Sequence, residues 1–289
     1  AFTGKFTMDE LAQFRQWDSP TPGHPERCVE RGIENTSGPL GQGHTFAVGA
    51  AIAAKFLKAR LGDVMNQRIY AYISDGGIQE EISQGSGRIA GTLGLDNLVM
   101  FYDSNRIQLS TETAAVDNED VAAKYRAWNW KVIEIDGNDV VQIRAALDEA
   151  LTVVGQPVLI IGNTVMGKGA LRADGSSYEN CCATHGAPLG GEAYTNTIKA
   201  LGGDVENPFA IFPETEAIYS SRREELKGIV AARKAAEAKW AAENPELAAK
   251  KAKWFSGEAP EVDWRSIQQK RRLHPWGFGN CARNARTGG

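Results

Sequence analysis

The chain has 289 residues, 42% hydrophobic and 24% charged, with a net charge of −4. That length and balance suit a soluble globular protein of one large domain or two smaller ones, and they give no general argument for a nucleic-acid partner. No apolar run is long enough to span a bilayer. The cysteines, Cys28, Cys181, Cys182 and Cys281, match no zinc spacing and no disulfide framework, so a reducing, cytoplasmic setting is expected. The opening Ala1-Phe2-Thr3-Gly4-Lys5 has no secretory-signal pattern and no initiator Met, from which a missing or processed start is expected.

In chain order, Thr7 to Gln16 reads as a short surface helix and Asp18 to Gly43 as a loop rich in Gly, Pro, Ser and Thr. Thr45 to Leu61 is Ala-rich, with apolar residues at helical spacing, and is expected to be a buried helix. Ile69 to Ser74 is an apolar strand that runs into Asp75-Gly76-Gly77. Glu80 to Leu93 is helical with a glycine exit at Gly94, and Leu98 to Tyr102 is a second strand leading through Asp103-Ser104 to Asn105. Asp117 to Trp128 reads as a helix with Glu119-Asp120 in its first turn. Lys131 to Asp136 is a strand, Val140 to Leu151 a helix, and Pro157 to Val165 a strand apolar enough to be covered on both faces. Loop follows to Pro188, then a helix over Glu192 to Leu201. A solvated Ala-, Glu- and Lys-rich helix covers Glu214 to Ala249, interrupted near Asn244-Pro245. Strands alternating with helices specify an α/β fold with a doubly wound, mainly parallel sheet.

Asp75 and Asn105 are the informative pair. Their separation is one whole β-α-β unit, so a parallel crossover sets both at neighbouring C-terminal strand ends. Either could be an ordinary turn residue. Gly76 and Gly77 beside a helix N-terminus, however, let the backbone approach a phosphate closely. The Asp75 carboxylate, the Asn105 amide oxygen and a nearby backbone carbonyl would then supply the protein half of an oxygen shell for a hard cation. Ser37-Gly38-Pro39-Leu40-Gly41-Gln42-Gly43 is by itself weak evidence, being neither a Walker loop nor a dinucleotide fingerprint. His24, between Gly23 and Pro25, and His185, in Thr184-His185-Gly186-Ala187-Pro188, are loop histidines, the commonest fate of which is plain exposure. His44 begins a helix and reads as structural. Glu80 and Glu81 complement a helix dipole, and a Glu80 that proved buried would be a proton-relay candidate.

Taken in order, the stretches Thr21-Pro22-Gly23-His24-Pro25-Glu26, Ser37 to Gly43, Asp75-Gly76, Ala90-Gly91-Thr92-Leu93-Gly94-Leu95, Phe101-Tyr102-Asp103-Ser104-Asn105-Arg106-Ile107 and His185-Gly186-Ala187-Pro188-Leu189 resemble the diphosphate-binding domain of transketolase, over roughly Phe6 to Gln269. The resemblance implies the thiamine-diphosphate-binding fold over residues 1–213, a helical linker over 214–269 and an anomalous tail over 270–289. It implies Asp75, Asn105 and the Ile107 carbonyl as ligands of Mg2+ (with Ca2+ as a second candidate), Gly76 as a diphosphate contact, and Gly38 and Leu40 as thiamine contacts. His24 and His185 would face the donor ketose and the cofactor, and Glu80 would link two active sites across a homodimer. The family's glycines before the ligand Asp and after the ligand Asn are Ser74 and Arg106 here, so Arg106 must point away from the cofactor.

The implied activity is transfer of a two-carbon ketol unit between sugar phosphates in the pentose phosphate pathway, with no nucleic-acid or membrane partner. The family's upstream segment and its pyrimidine-binding domain have no counterpart in the chain, so an incomplete chain, inactive or nearly so alone, is expected. One subunit of a split thiamine enzyme and a non-catalytic metal-diphosphate module are the alternatives. Deoxyxylulose-phosphate synthase shares the fold, but the Thr-Pro-Gly-His-Pro-Glu and His-Gly-Ala-Pro-Leu stretches favour transketolase.

The last stretch, Arg271 to Gly289, has no helical or alternating period and is rich in Arg and Gly. It reads as an out-of-frame translation, with a disordered basic tail as the alternative. Read one nucleotide later, Trp276 to Ala285 permits, with freely chosen codons, Gly-Ala-Ser-Ala-Thr-Val-Leu-Ala-Thr-Leu, which is apolar at helical spacing. Resequencing the gene is expected to find a shifted frame that continues into a pyrimidine-binding domain. A verified stop after Gly289, with no such codons downstream, would refute the frameshift.

Overall fold

A computed structural model describes residues 2–259, 261–263 and 265–266; the tail read as out of frame lies outside them. Compactness divides the chain after Glu237. The first unit is built on a four-stranded sheet, β1 (Ile69–Ser74), β2 (Leu98–Ser104), β3 (Lys131–Asp136) and β4 (Val158–Asn163), in the order β1-β2-β4-β3 with every pair parallel. Before it come α1 (Met8–Ala12) and α2 (Gln42–Leu61). The crossovers are α3 (Asp75–Gln79) with α4 (Glu81–Thr92), α5 (Val121–Ala127) and α6 (Val140–Thr152). After the sheet come α7 (Ala183–Gly186) and α8 (Gly191–Ala200), then α9 (Pro213–Glu243) and α10 (Pro245–Phe255), neither of which has a buried residue. No helix among the described residues is long and apolar enough to cross a membrane.

Period-two alternation along the strands sorts the core into two faces. Leu98, Met100, Tyr102, Leu159 and Ile161 pack with Ala47, Val48 and Ala51 of α2, Ala90 of α4 and Tyr125 of α5. Val99, Val158 and Ile160 face the other way, onto Ala146 and Ala150 of α6. Helices therefore cover both faces, as the doubly wound reading requires. The expected burial of α2 holds on one side only, since Phe46, Ile52 and Phe56 are exposed.

Glycine sets how closely the α2/α4/α5 layer packs. A Cβ on Gly91 would lie 1.7 Å from the Trp128 carbonyl oxygen, so no larger residue fits where α4 meets the end of α5. Trp130 seals that junction by donating its indole N–H to the Gly87 carbonyl at 2.8 Å.

Several expected boundaries are corrected: the helix expected over Thr7 to Gln16 spans only Met8–Ala12, and the loop expected up to Pro188 contains α7. The helix expected from Thr45 starts at Gln42, with Gly41 as its left-handed N-cap. The crossover helix expected from Glu80 to Leu93 is two helices, broken where Glu80 takes φ −62°, ψ 134°. The helix expected from Asp117 starts at Val121, because the Asp120 carboxylate accepts the Ala123 N–H and caps it; Glu119 and Asp120 therefore precede its first turn.

His44, in the first turn of α2, is 2% exposed, and neither ring nitrogen has a hydrogen-bond partner. Its ring stands edge-on to Trp130 at 6.5 Å. Burial lowers its pKa from 6.5 to about 4, so protonation is disfavoured in the folded state. Between those values the unfolded chain binds the extra proton, so this contribution to stability is complete above pH 6.5 and is lost as pH falls towards 4. Urea denaturation should show the group costing on the order of 2 kcal/mol between pH 7 and pH 5. His44→Leu is expected to flatten that slope, and an unchanged slope in the variant would contradict the assignment.

Candidate functional site

The parallel pairing of β1 with β2 matches Ser74 to Asp103 and so delivers Asp75 and Asn105 to the same edge of the sheet. Asp75 is the first residue of α3 and is 2% exposed. Its Oδ2 accepts the backbone N–H of Asn105 at 3.2 Å and of Arg106 at 3.0 Å. Its Oδ1 accepts the Tyr102 hydroxyl at 2.7 Å. Burial raises the Tyr102 pKa well above the usual phenol range, and the Asp75 carboxylate pushes it the same way, so the phenol stays a donor. The Asn105 side-chain oxygen accepts the Ile107 N–H at 3.0 Å, closing a small turn that ends at the buried Ile107. The three residues expected to act together are thus connected through Asp75 and this turn.

Arg106 takes φ +66°, the left-handed conformation that glycine adopts without strain. Its side chain is exposed and donates to the Asn163 side-chain oxygen at 3.3 Å, over the end of β4 and away from Asp75. Ser104, Asn105, Arg106, Asn163 and Thr164 border a cleft of about 420 Å³ at the ends of β2 and β4.

The glycine-rich segment lies beside this edge. A Cβ on Gly76 would lie 3.2 Å from Leu40 Cδ1, so the expected diphosphate and thiamine contacts touch. A Cβ on Gly38, at φ +138°, would lie 3.1 Å from the ring of His24. One on Gly41, at φ +79°, would lie 2.7 Å from Ile82 Cγ2 and 3.0 Å from Glu80 Cβ. The backbone from Gly38 to Gly41 thus runs as a close-fitting strap past His24, Gly76 and Glu80.

Two expected residues are less engaged. Glu80 is exposed, so the condition for a buried proton relay is not met in this chain. His185 is exposed on the four-residue α7, next to Gly186, where a Cβ would meet Leu109 Cδ1 at 3.2 Å. That contact brings the histidine's segment onto the loop that follows Ile107. The residue given no role in the sequence is Tyr102, which figures only in an apolar strand and within the Phe101-to-Ile107 stretch. Its place on the α2/α4 face of β2, opposite Ile73 and so beside the start of α3, is the signal that could have found it.

A hard cation and a diphosphate fit this edge. Asp75 buries a carboxylate on three neutral donors, a costly arrangement for an anion without a cation nearby. Among the described residues no cluster of three or more His, Cys, Asp and Glu gathers, so a metal held here would take one carboxylate with amide and carbonyl oxygens, a set suited to Mg2+ or Ca2+.

Residues 2–260 match the family described as transketolase, thiamine diphosphate binding domain. The chain is 38% identical over 271 residues to transketolase 2 of Escherichia coli, covering 91% of this chain and 39% of that one. It is 36% identical over 267 residues to a transketolase of Geobacillus stearothermophilus, covering 88% and 38%. The solved transketolase of Leishmania mexicana superposes with a TM-score of 0.85 at 33% identity, covering 93% of this chain and 40% of that one. The chain therefore spans about two fifths of the length of these relatives. It belongs to the transketolase family and carries that family's thiamine diphosphate binding domain.

Proposed function

We propose that this chain contributes the metal- and diphosphate-binding part of a transketolase site, for moving a two-carbon ketol unit from a ketose phosphate to an aldose phosphate. The observation that carries the reading is the buried Asp75 carboxylate, held by neutral donors beside Asn105 and Gly76. Asp75, Asn105 and the Ile107 carbonyl hold Mg2+. Gly76 admits the diphosphate, and Gly38 and Leu40 line the thiamine. When bound, thiamine diphosphate supplies a thiazolium carbanion and an electron sink for the cleaved bond.

The chain's own side chains bind, orient and exchange protons around it. His24, beside Gly38, and His185 are the groups that face the ketose and the cofactor. Exposed Glu80, followed by exposed Ile82 and Ile89 on α4 and by Leu93 just after it, supports a face covered by a second copy of the chain in the working enzyme. A cytoplasmic setting agrees with the free thiols of Cys28, Cys181 and Cys182.

Thiamine diphosphate with magnesium is expected to raise the melting temperature of the chain, since a ligand bound only by the folded state stabilises it. Asp75→Ala should abolish that rise, and an unchanged rise would sink the metal assignment. With ribose 5-phosphate, xylulose 5-phosphate, magnesium and thiamine diphosphate, the purified chain alone should show no ketol transfer. Robust turnover would point to a different active-site architecture.

A further inference from the structure

Cys181 and Cys182 are adjacent in the chain, half-buried, and free as thiols. They lead into α7, and their backbone carbonyls hold its turn. The Cys181 carbonyl accepts the Thr184 N–H at 2.9 Å and the Thr184 hydroxyl at 2.7 Å, and the Cys182 carbonyl accepts the His185 N–H at 3.1 Å. The segment is pinned to the loop after β4. Asn180 donates its N–H to the Met166 carbonyl at 2.8 Å, and a Cβ on Gly167 would lie 2.9 Å from Thr184 Oγ1. Two neighbouring thiols are therefore held at one place, on the turn that carries exposed His185.

Two properties decide what this pair can hold. Across a trans peptide bond the two Cα atoms are about 3.8 Å apart, whereas a disulfide usually joins Cα atoms about 4.4–6.8 Å apart, so these thiols close poorly on each other. One atom inserted between the sulfurs relieves that closure. Nor does any group of three or more His, Cys, Asp and Glu gather among the described residues, so no zinc cage is offered. What remains is a pair of soft sulfur donors for one thiophilic centre. We propose that Cys181 and Cys182 form a dithiol clamp for a trivalent arsenical, and that closing the clamp opens the turn carrying His185. An arsenoxide, R–As=O, condenses with both thiols: two As–S bonds form, the two S–H bonds and the As=O bond break, and the oxygen leaves with both protons as water. Arsenic stays trivalent, so no oxidant or reductant is needed. Cys182 has helical backbone angles, φ −54° and ψ −32°, in which consecutive side chains do not face each other. Bringing both sulfurs to one atom turns the backbone between them, and the hydrogen bonds to the Cys181 and Cys182 carbonyls give way. Those few bonds of a four-residue helix are a small cost against two covalent bonds. The clamp stands independently of the role proposed for His185.

The test treats the full chain with phenylarsine oxide and reads the adduct by intact-protein mass. One phenylarsenic unit is expected to add to the folded chain, to survive excess 2-mercaptoethanol and to leave with the dithiol 2,3-dimercaptopropanol. Cys181→Ser and Cys182→Ser should each bind the probe at least roughly 100-fold more weakly and lose it to the monothiol, because one of two linked contacts is gone. Cys28→Ser and Cys281→Ser should behave as wild type. Hydrogen exchange should show the Thr184 and His185 amides exchanging faster in the adduct. An adduct that survives the monothiol in Cys181→Ser or Cys182→Ser, or that forms only after unfolding in urea, overturns the clamp. A clamped chain with unchanged exchange at Thr184 and His185 overturns the effect on the turn. If the serine variants do not unfold cooperatively, peptide mapping of the wild-type adduct decides: arsenic on the peptide holding Cys181 and Cys182 upholds the clamp, and arsenic on Cys28 or Cys281 overturns it.

Discussion

One buried carboxylate ties together the end of the sheet that matters. Asp75 accepts donors from β2 and from the turn after it, so the ends of two neighbouring parallel strands are joined through a side chain rather than through the ladder. All three donors are neutral, which satisfies hydrogen bonding, and among the described residues no cation forms an ion pair with this buried side chain. Such an arrangement is costly to keep unless something positive completes it. On the reading proposed above, a divalent cation held by Asp75 and Asn105 would do so.

Close approach of backbone to backbone is the second constraint. At Gly38 and Gly41 the chain takes positive φ angles and passes so near His24, Ile82 and Glu80 that a methyl group would collide or crowd. A segment of this kind is held in shape by its neighbours, and it holds them in turn: it sets His24 beside Gly38 and Leu40 over Gly76. The same economy of size recurs in the core, where Gly87 and Gly91 let α4 lie against Trp128 and Trp130. The core tolerates little change there, while the polar edge a few residues away stays open to a ligand.

Much of this was legible in the sequence because apolar runs closed by Asp and Gly are strong strand signals. β1 and β3 have the expected limits, and β2 begins where expected. Helix starts were less legible. Whether Asp117 or Asp120 caps α5 depends on which carboxylate reaches a free N–H, and spacing alone does not decide that. The break at Glu80 was hidden because helical propensity runs on through it, whereas its extended backbone reflects the tight fit of Gly41 against the start of α4. Tyr102 was missed for a related reason. In a buried strand a tyrosine counts as apolar, and its hydroxyl becomes informative only when the neighbouring strand places a carboxylate 2.7 Å away. The juxtaposition of Asp75 with Asn105 was legible because a parallel crossover commonly sets consecutive strands side by side, as with β1 and β2, although β2 and β3 are separated by β4.

The most direct test is the location of the metal itself. Crystals of the chain grown with thiamine diphosphate and manganese, as a stand-in for magnesium, would give an anomalous diffraction signal at the metal. The account predicts one peak within coordination distance of Asp75 Oδ1 and Asn105 Oδ1, next to the diphosphate. A peak elsewhere, or a bound cofactor with no metal beside Asp75, would contradict it.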